Sequence, residues 1–123
     1  MGATLSSTQS PFEAEKCIDG DTDSESESET GFSDAGVPII CHTEEEAKPW
    51  LAIDYGTTVT VQRVEIFNRD GCCGWRTRNV DVRISDVLPT SGSQMFSGGF
   101  LLGRFAGPCT DGQQIAISGT KLL

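Results

Sequence analysis

The stretch VEIFNRDGCCGWRTRNVDVRIS, residues 64–85, contains two strand-like patterns on either side of a glycine-rich loop. In the second pattern Val80, Val82 and Ile84 alternate with polar residues, and this period of two is typical of a half-buried strand. The first pattern ends with the apolar pair at residues 66–67, directly before the loop. The stretch therefore predicts a strand, a tight loop and a second strand.

Similar patterns occur outside this stretch. Leu51, Ile53 and Tyr55 alternate with polar or small residues, and Ile115 and Ile117 form a short late pattern. In VTVQRVEIF, residues 59–67, the apolar phase changes between Val61 and Val64, which predicts a β-bulge. Glycine, proline and serine cluster between the patterns, and no segment has a helical stripe. The sequence predicts an all-β fold, an antiparallel β-sandwich or jelly roll.

Length and charge narrow the class of protein. With 123 residues the chain predicts a single domain, residues 1–123. A net charge of −9 and a pI near 4.4 argue against binding to nucleic acid or to a polyanionic membrane surface. No apolar run is long enough for insertion into a membrane, and residues 1–12 do not have the pattern of a signal peptide.

Five cysteines in a small acidic domain indicate an oxidising compartment. None occurs in a CxxC pair, which disfavours a zinc site and a thioredoxin-like site. Cys72 and Cys73 are adjacent, and a bond between them would close almost no loop, so it would stabilise the fold very little. If they are bonded, the bond has a purpose other than joining distant segments.

Catalytic motifs are missing from the sequence. It has one histidine, His42, and it lacks GxSxG, HExxH and a glycine-rich phosphate loop, so an enzyme is not supported. Binding agrees better with the residues, because Arg69 and Arg76 flank the cysteine pair and each presents a planar fork of donors to oxygen acceptors. The acidic run at residues 19–30 predicts a solvated loop, although its first residues could supply oxygen ligands to calcium.

Two segments together carry a family resemblance. CHTEEEAKPWLAIDYG, residues 41–56, followed by residues 64–85, resembles the F-type lectin (fucolectin) family, and the likeness begins near residue 3 and continues to the end of the chain. In that family a histidine, twenty-six residues, an arginine and a second arginine beyond a Cys-Cys pair form a fucose pocket. Here twenty-six residues separate His42 from Arg69, and Arg76 matches the second arginine.

The resemblance implies a discoidin-like β-sandwich that binds fucosylated glycans in innate recognition or adhesion. His42, Arg69 and Arg76 would donate hydrogen bonds to the sugar, and a disulfide between Cys72 and Cys73 would pack its apolar edge against the ring. A niche for the fucose methyl group would be lined by Phe32 or Trp75. The domain is expected to be secreted and not enzymatic, and the sequence leaves open whether it forms a homo-oligomer.

Two alternatives stay open at this point. The first is a discoidin-like adhesion module that has no affinity for sugars and binds protein partners. The second, and more distant, is a redox protein that uses Cys72 and Cys73. A glycan array with fucose competition separates the first alternative from a lectin, and the reduction potential of the cysteine pair tests the second.

The resemblance also implies a calcium site near residues 18–21. Its oxygen ligands would be the carbonyl of Lys16, the side chain of Asp19 and the carbonyl of Asp21, with a further carbonyl directly before Cys41. We expect a disulfide between Cys17 and Cys41, because one bond would fix both this loop and the pocket histidine. Such a bond closes a loop of about 25 residues, worth about 3 kcal/mol in the chain-entropy model.

Two features depart from the family pattern. The family has Asp directly before the cysteine pair, whereas Asp70 and Gly71 stand here in the reverse order, which predicts an effect on affinity more than on the fold. Family members also continue beyond the equivalent of GTKLL into further strands that supply a calcium ligand. The chain is therefore expected to be a fragment or a truncated form that lacks the closing strands, and Cys109 is expected to be the unpaired thiol.

Overall fold

Antiparallel strand pairs make up the fold, as the sequence predicts. A computed structural model describes residues 2–20, 32, 37–38, 40–69, 72–86 and 99–119. Its strands are β1 (Gly2–Leu5), β2 (Leu51–Asp54), β3 (Arg63–Phe67), β4 (Val80–Ile84), β5 (Phe100–Phe105) and β6 (Gln114–Ser118). Within these residues the helical elements are two short 3₁₀ turns, Ala14–Cys17 and Gly74–Arg76. The all-β antiparallel class is confirmed.

Three antiparallel ribbons organise the described strands: β1 pairs with β2, β3 with β6, and β4 with β5. In the β3–β6 ribbon, Val64 lies opposite Ile117 and Ile66 lies opposite Ile115, so the period-two apolar residues of both strands share one face. Both isoleucines of β6 are buried. The alternation in the sequence thus predicts correctly which face of this ribbon turns inward.

The core lies between the β3–β6 and β4–β5 ribbons. Its buried centre is Leu102, Cys109, Ile115 and Ile117. Partly buried residues of β3, β4 and β5, together with Val61, surround this centre. Cys109 is a free thiol, as expected, and burial raises its pKa, so it acts as a small apolar core residue.

The predicted position of the β-bulge is wrong. The change of phase between Val61 and Val64 is no bulge, because β3 begins only at Arg63 and Val61 packs on the core from the preceding segment. The irregularity of register lies instead in the β4–β5 ribbon: Val82 faces Gly103 and Arg83 faces Leu101, so Leu102 is the extra residue, on β5.

The alternating residues of β2 turn outward rather than inward. Leu51 and Ile53 are exposed, and so is Tyr55, directly after the strand. The reason is that β2 pairs only with β1 among the described strands, and neither strand contributes to the core cluster. An apolar period of two therefore identifies the strand correctly but not its buried face.

Close contact between β5 and β6 joins the two core ribbons. Gly103 of β5 lies so near β6 that a Cβ placed on it would come 2.4 Å from Cγ2 of Ile117. Ile117 is branched at Cβ and buried, so its methyl group has little freedom to move away.

We therefore expect Gly103→Ala to destabilise the protein by about 1–3 kcal/mol through overpacking. Gly2→Ala is the matched control, because Gly2 is also a strand glycine but its added Cβ would meet nothing within 4 Å. Urea denaturation of both variants measures the effect. Equal stability of Gly103→Ala and Gly2→Ala would contradict the close approach of β5 and β6.

Candidate functional site

The loop that leaves β3 carries most of the predicted sugar-binding residues. Arg69 follows the strand, Cys72 and Cys73 are joined by a disulfide, and Arg76 ends the 3₁₀ turn that comes next. Gly74 begins this turn, and the amide of Arg76 donates to the carbonyl of Cys73. We call residues 68–77 the cysteine loop. Residues 70 and 71, including the reversed Asp-Gly pair, lie outside the described residues.

A second loop, residues 109–113, lies directly against the cysteine loop. The amide of Gly112 donates to the carbonyl of Arg69 at 2.9 Å, and the amide of Cys109 donates to the carbonyl of Thr77 at 2.9 Å. We call residues 109–113 the bracing loop. The bracing loop precedes β6, and the start of β6 faces the end of β3, so the two loops lie at the same end of the β3–β6 ribbon.

Gly74 is the point of closest approach between the two loops. A Cβ at this position would lie 2.6 Å from backbone atoms of Thr110 and Asp111. The Gly74 amide donates to Oδ1 of Asp111 at 2.7 Å. Any side chain at position 74 would push the loops apart, so glycine is required here for steric reasons.

The buried side chain of Asn68 joins the same segments. Its Nδ2 donates to the carbonyl of Gly74 at 3.1 Å and to the carbonyl of Thr110 at 3.0 Å. Its Oδ1 accepts a hydrogen bond from the hydroxyl of Thr77 at 2.7 Å. The backbone amide of Asn68 donates to the carbonyl of Gln113 at 3.1 Å. Both amide hydrogens are therefore used, and the cysteine loop is fixed at its start, middle and end.

The arginines lie close enough to influence each other. Partial burial and repulsion from Arg76 together lower the pKa of Arg69, and the negative charge of Asp111 opposes this effect. Arg69 is half-buried, whereas Arg76 is exposed. Two interacting guanidinium groups thus belong to the loop of the cysteine pair, in a protein whose net charge is −9.

Trp75 projects from the same loop. Its side chain is 55% exposed, and the guanidinium carbons of Arg76 and Arg78 lie 5.7 and 5.9 Å from its ring centroid. Contacts of this kind are worth about 0.5–1 kcal/mol at exposed sites. Phe32, the other residue predicted for the methyl niche, has its ring 5.1 Å from that of Phe12.

His42 is held by the N-terminal segment. Its amide donates to the carbonyl of Phe12 at 3.1 Å, and its carbonyl accepts the amide of Gln9 at 2.9 Å. The Phe12 ring lies 6.0 Å from the imidazole. Nδ1 of the imidazole donates to the carbonyl of Thr43, so this ring nitrogen is used within the protein. The structure brings Arg69, Cys72, Cys73 and Arg76 together, while the approach of His42 to them stays a prediction.

The predicted calcium ligands lie at the other end of the chain. Lys16 is in the 3₁₀ turn Ala14–Cys17, and Asp19 is exposed shortly after it. The predicted disulfide between Cys17 and Cys41 is confirmed, with a Cα–Cα distance of 5.2 Å. Asp21 lies outside the described residues, as does most of the acidic run.

Within the residues that the structure covers, no group of three or more His, Cys, Asp and Glu side chains could hold a metal ion. Nor does any described helix have the length and apolar character needed to cross a membrane.

We expect Asn68→Ala to destabilise the protein by at least about 2 kcal/mol, because it leaves two carbonyls and a hydroxyl without their partner in a buried place. Gln113→Ala is the control, since its Oε1 accepts the Thr110 amide on an exposed turn, and we expect a cost of about 1 kcal/mol or less. Chemical denaturation compares the two. A smaller loss for Asn68→Ala than for Gln113→Ala would show that Asn68 does not hold the loops.

Known proteins resemble this chain in sequence. The family described as NedA-like, galactose-binding domain matches residues 16–96, which is more than half of the chain. The fucolectin of Anguilla anguilla is 31% identical over 80 residues, covering 65% of this chain and 45% of that protein. A pentraxin fusion protein of Xenopus laevis is 37% identical over 52 residues, covering 42% of this chain and 12% of that protein.

The chain thus spans less than half the length of either relative. No solved structure matches it. The family match covers the cysteine loop and both members of the Cys17–Cys41 disulfide. Together with the antiparallel fold, it shows that the chain belongs to the discoidin-like, galactose-binding-like domain family that includes the F-type lectins.

Proposed function

We propose that this domain is a lectin that binds glycans containing L-fucose. The observation that carries the proposal is the grouping of Arg69, Arg76 and the Cys72–Cys73 disulfide on one braced loop. The similarity to a fucolectin supports the same ligand class. Neither relative has the name of an enzyme, which agrees with a binding role.

The chemistry of the loop is suited to a neutral sugar. Arg69 and Arg76 present charged donors to hydroxyl and ring oxygens, and a hydrogen bond to a charged group is worth about 1.5–3 kcal/mol. The edge of the cysteine pair offers an apolar contact that loses little conformational entropy on binding, because the loop is already fixed by Asn68 and the bracing loop. His42 would contribute a third hydrogen bond to the sugar through its other ring nitrogen, Nε2.

The acidic character of the protein favours this ligand over an anion. With a net charge of −9 the overall field repels polyanions, so two exposed or half-buried arginines are a poor basis for a polyanion site. An uncharged sugar releases no condensed counterions, and its affinity should depend only weakly on salt.

We expect Arg69→Lys and Arg76→Lys each to weaken the binding of methyl α-L-fucoside, because lysine keeps the charge but loses the planar fork. Loss of one charged hydrogen bond corresponds to about a tenfold or greater rise in Kd. His42→Ala should weaken binding as well. Calorimetry at low and high salt measures these effects.

Arg104→Lys is the matched control, because Arg104 forms an exposed ion pair with Asp81 on the β4–β5 ribbon. Its affinity should equal that of the wild type. Full retention of affinity in the Arg69 and Arg76 variants, or loss of wild-type binding at high salt, would contradict the assignment.

A second candidate function rests on a different surface. Leu51 and Ile53 of β2 and Tyr55, directly after it, expose apolar side chains, which is the kind of surface that a protein-binding adhesion module would use. On a glycan array, binding that free fucose competes away supports the lectin. No glycan binding together with capture of a protein partner supports the adhesion module.

We also propose that calcium stabilises the loop around residues 16–21. The Cys17–Cys41 disulfide supports this, because it holds Lys16 and Asp19 near the residue that precedes Cys41, where a carbonyl ligand is expected. Backbone carbonyls and one carboxylate are the hard oxygen ligands that calcium takes in proteins. The same disulfide supports secretion, since such bonds persist in oxidising compartments.

We expect millimolar calcium to raise the Tm relative to chelator, because an ion that binds only the folded state stabilises it by mass action, by about 2.7 kcal/mol at 100 times Kd. Asp19→Asn should reduce this shift, while Asp54→Asn, in the β1–β2 ribbon, should keep it. Differential scanning fluorimetry measures the Tm. An identical Tm in calcium and in chelator would remove calcium from the account.

A further inference from the structure

Asp111 is the acidic residue of the bracing loop, and the sequence patterns do not single it out. One of its oxygens accepts the amide of Gly74 at 2.7 Å, directly after the cysteine pair. Thr110 comes directly before it, and its carbonyl accepts a hydrogen bond from Nδ2 of Asn68. Gly112 comes directly after it, and its amide donates to the carbonyl of Arg69. Asp111 is therefore fixed on both sides by contacts with the cysteine loop.

The charge of Asp111 acts on the arginine pair. Arg69 and Arg76 repel each other, and partial burial of Arg69 adds a further cost of desolvation. Asp111 offsets part of both effects, since its negative charge stabilises the charged form of Arg69. A guanidinium that is half-buried and next to another cation needs such a counter-charge to stay in place.

The order of residues before the cysteine pair makes this carboxylate more significant. The family pattern places an aspartate directly before the pair, and Gly71 stands at that position here. Asp111 belongs to a loop almost forty residues later in the chain. The hydrogen bonds from Asn68 to Thr110 and from Gly112 to Arg69 hold this loop next to the loop of the Cys72–Cys73 pair.

We propose that Asp111 is a positioning residue for sugar binding, whose carboxylate fixes the Gly74 amide and holds the guanidinium of Arg69 beside the Cys72–Cys73 edge. This inference rests on the proposed function, because it assigns Asp111 a part in the same site. Asp111 does not itself contact the sugar in this arrangement. It acts through Arg69 and Gly74.

The decisive variant is Asp111→Asn, because asparagine keeps an oxygen that can accept the Gly74 amide but removes the charge. We expect Kd for methyl α-L-fucoside to rise about fivefold to tenfold, which reflects the weaker attraction on a partly screened arginine, while the Tm stays close to that of the wild type. Asp54→Asn is the matched control, since Asp54 Oδ1 also accepts a glycine amide, that of Gly56 at 2.8 Å, on a different ribbon.

Asp70→Asn is measured beside it, because Asp70 is the other acidic residue near the cysteine pair in the sequence. We expect Asp111→Asn to weaken binding more than Asp70→Asn does, and Asp54→Asn to bind as the wild type. Unchanged affinity of Asp111→Asn would overturn the proposal. So would a loss confined to Asp70→Asn, or an equal loss in Asp54→Asn.

An experiment without sugar separates this inference from the proposed function. The Nε–H resonance of Arg69 in ¹⁵N NMR reports its surroundings directly, and we expect Asp111→Asn to shift it while the Gly74 amide resonance changes little. Asp54→Asn should shift neither. If the wild type binds no fucoside, the proposed function fails and this shift still decides the role of Asp111. An Arg69 resonance that does not move would overturn the inference in either case.

Discussion

The side-chain amide of Asn68 connects segments that strand pairing alone does not hold together. It lies at the end of β3, donates to the middle of the cysteine loop and to the bracing loop, and accepts a hydroxyl from Thr77 where the cysteine loop ends. The group is buried, so each of these bonds would be costly to lose. This one buried amide thus joins the start, the middle and the end of the loop that carries the candidate ligand-binding residues.

The ribbons determine where these loops meet. Pairing of β3 with β6 places the residue after Phe67 beside the residue before Gln114, which is why Asn68 reaches Gln113 and Arg69 reaches Gly112. The β4–β5 ribbon continues from the other end of the cysteine loop and packs on β6 through Gly103. Core packing and loop geometry are thus linked, since a shift of β6 would move the bracing loop and the Asp111 carboxylate with it.

Short-range patterns explain what could be predicted from the sequence. Strands β3, β4 and β6 alternate apolar and polar residues with a period of two, and one face of the β3–β6 ribbon is buried accordingly. The spacing of His42, Arg69 and Arg76 indicates the family, and the Cys17–Cys41 disulfide is predicted because Cys17 adjoins the acidic loop and Cys41 precedes His42. The period-two pattern does not mark strands β1 and β5. Strand β1 is short, and β5 contains a glycine and has no regular alternation of apolar and polar residues.

The parts of the site that escaped prediction depend on contacts between distant residues. Asn68 and Thr110 are 42 residues apart, and Gly74 and Asp111 are 37 apart, and no local pattern marks such pairs. The outward face of β2 has the same kind of cause, because alternation shows a strand but does not show which side another element covers. Local sequence therefore marks the arginines and cysteines as candidates, while the residues that hold them in place are visible only in the fold.

The most direct test of the account is a titration of ¹⁵N-labelled protein with methyl α-L-fucoside, followed by two-dimensional NMR. We expect saturable shifts of the amides in residues 72–77, in residues 109–113 and around His42, with the β1–β2 ribbon unaffected. Titration with a sugar that lacks the fucose configuration, such as methyl α-D-glucoside, serves as the control. Absence of saturable shifts, or shifts concentrated on the exposed face of β2, would contradict a sugar site at the cysteine loop.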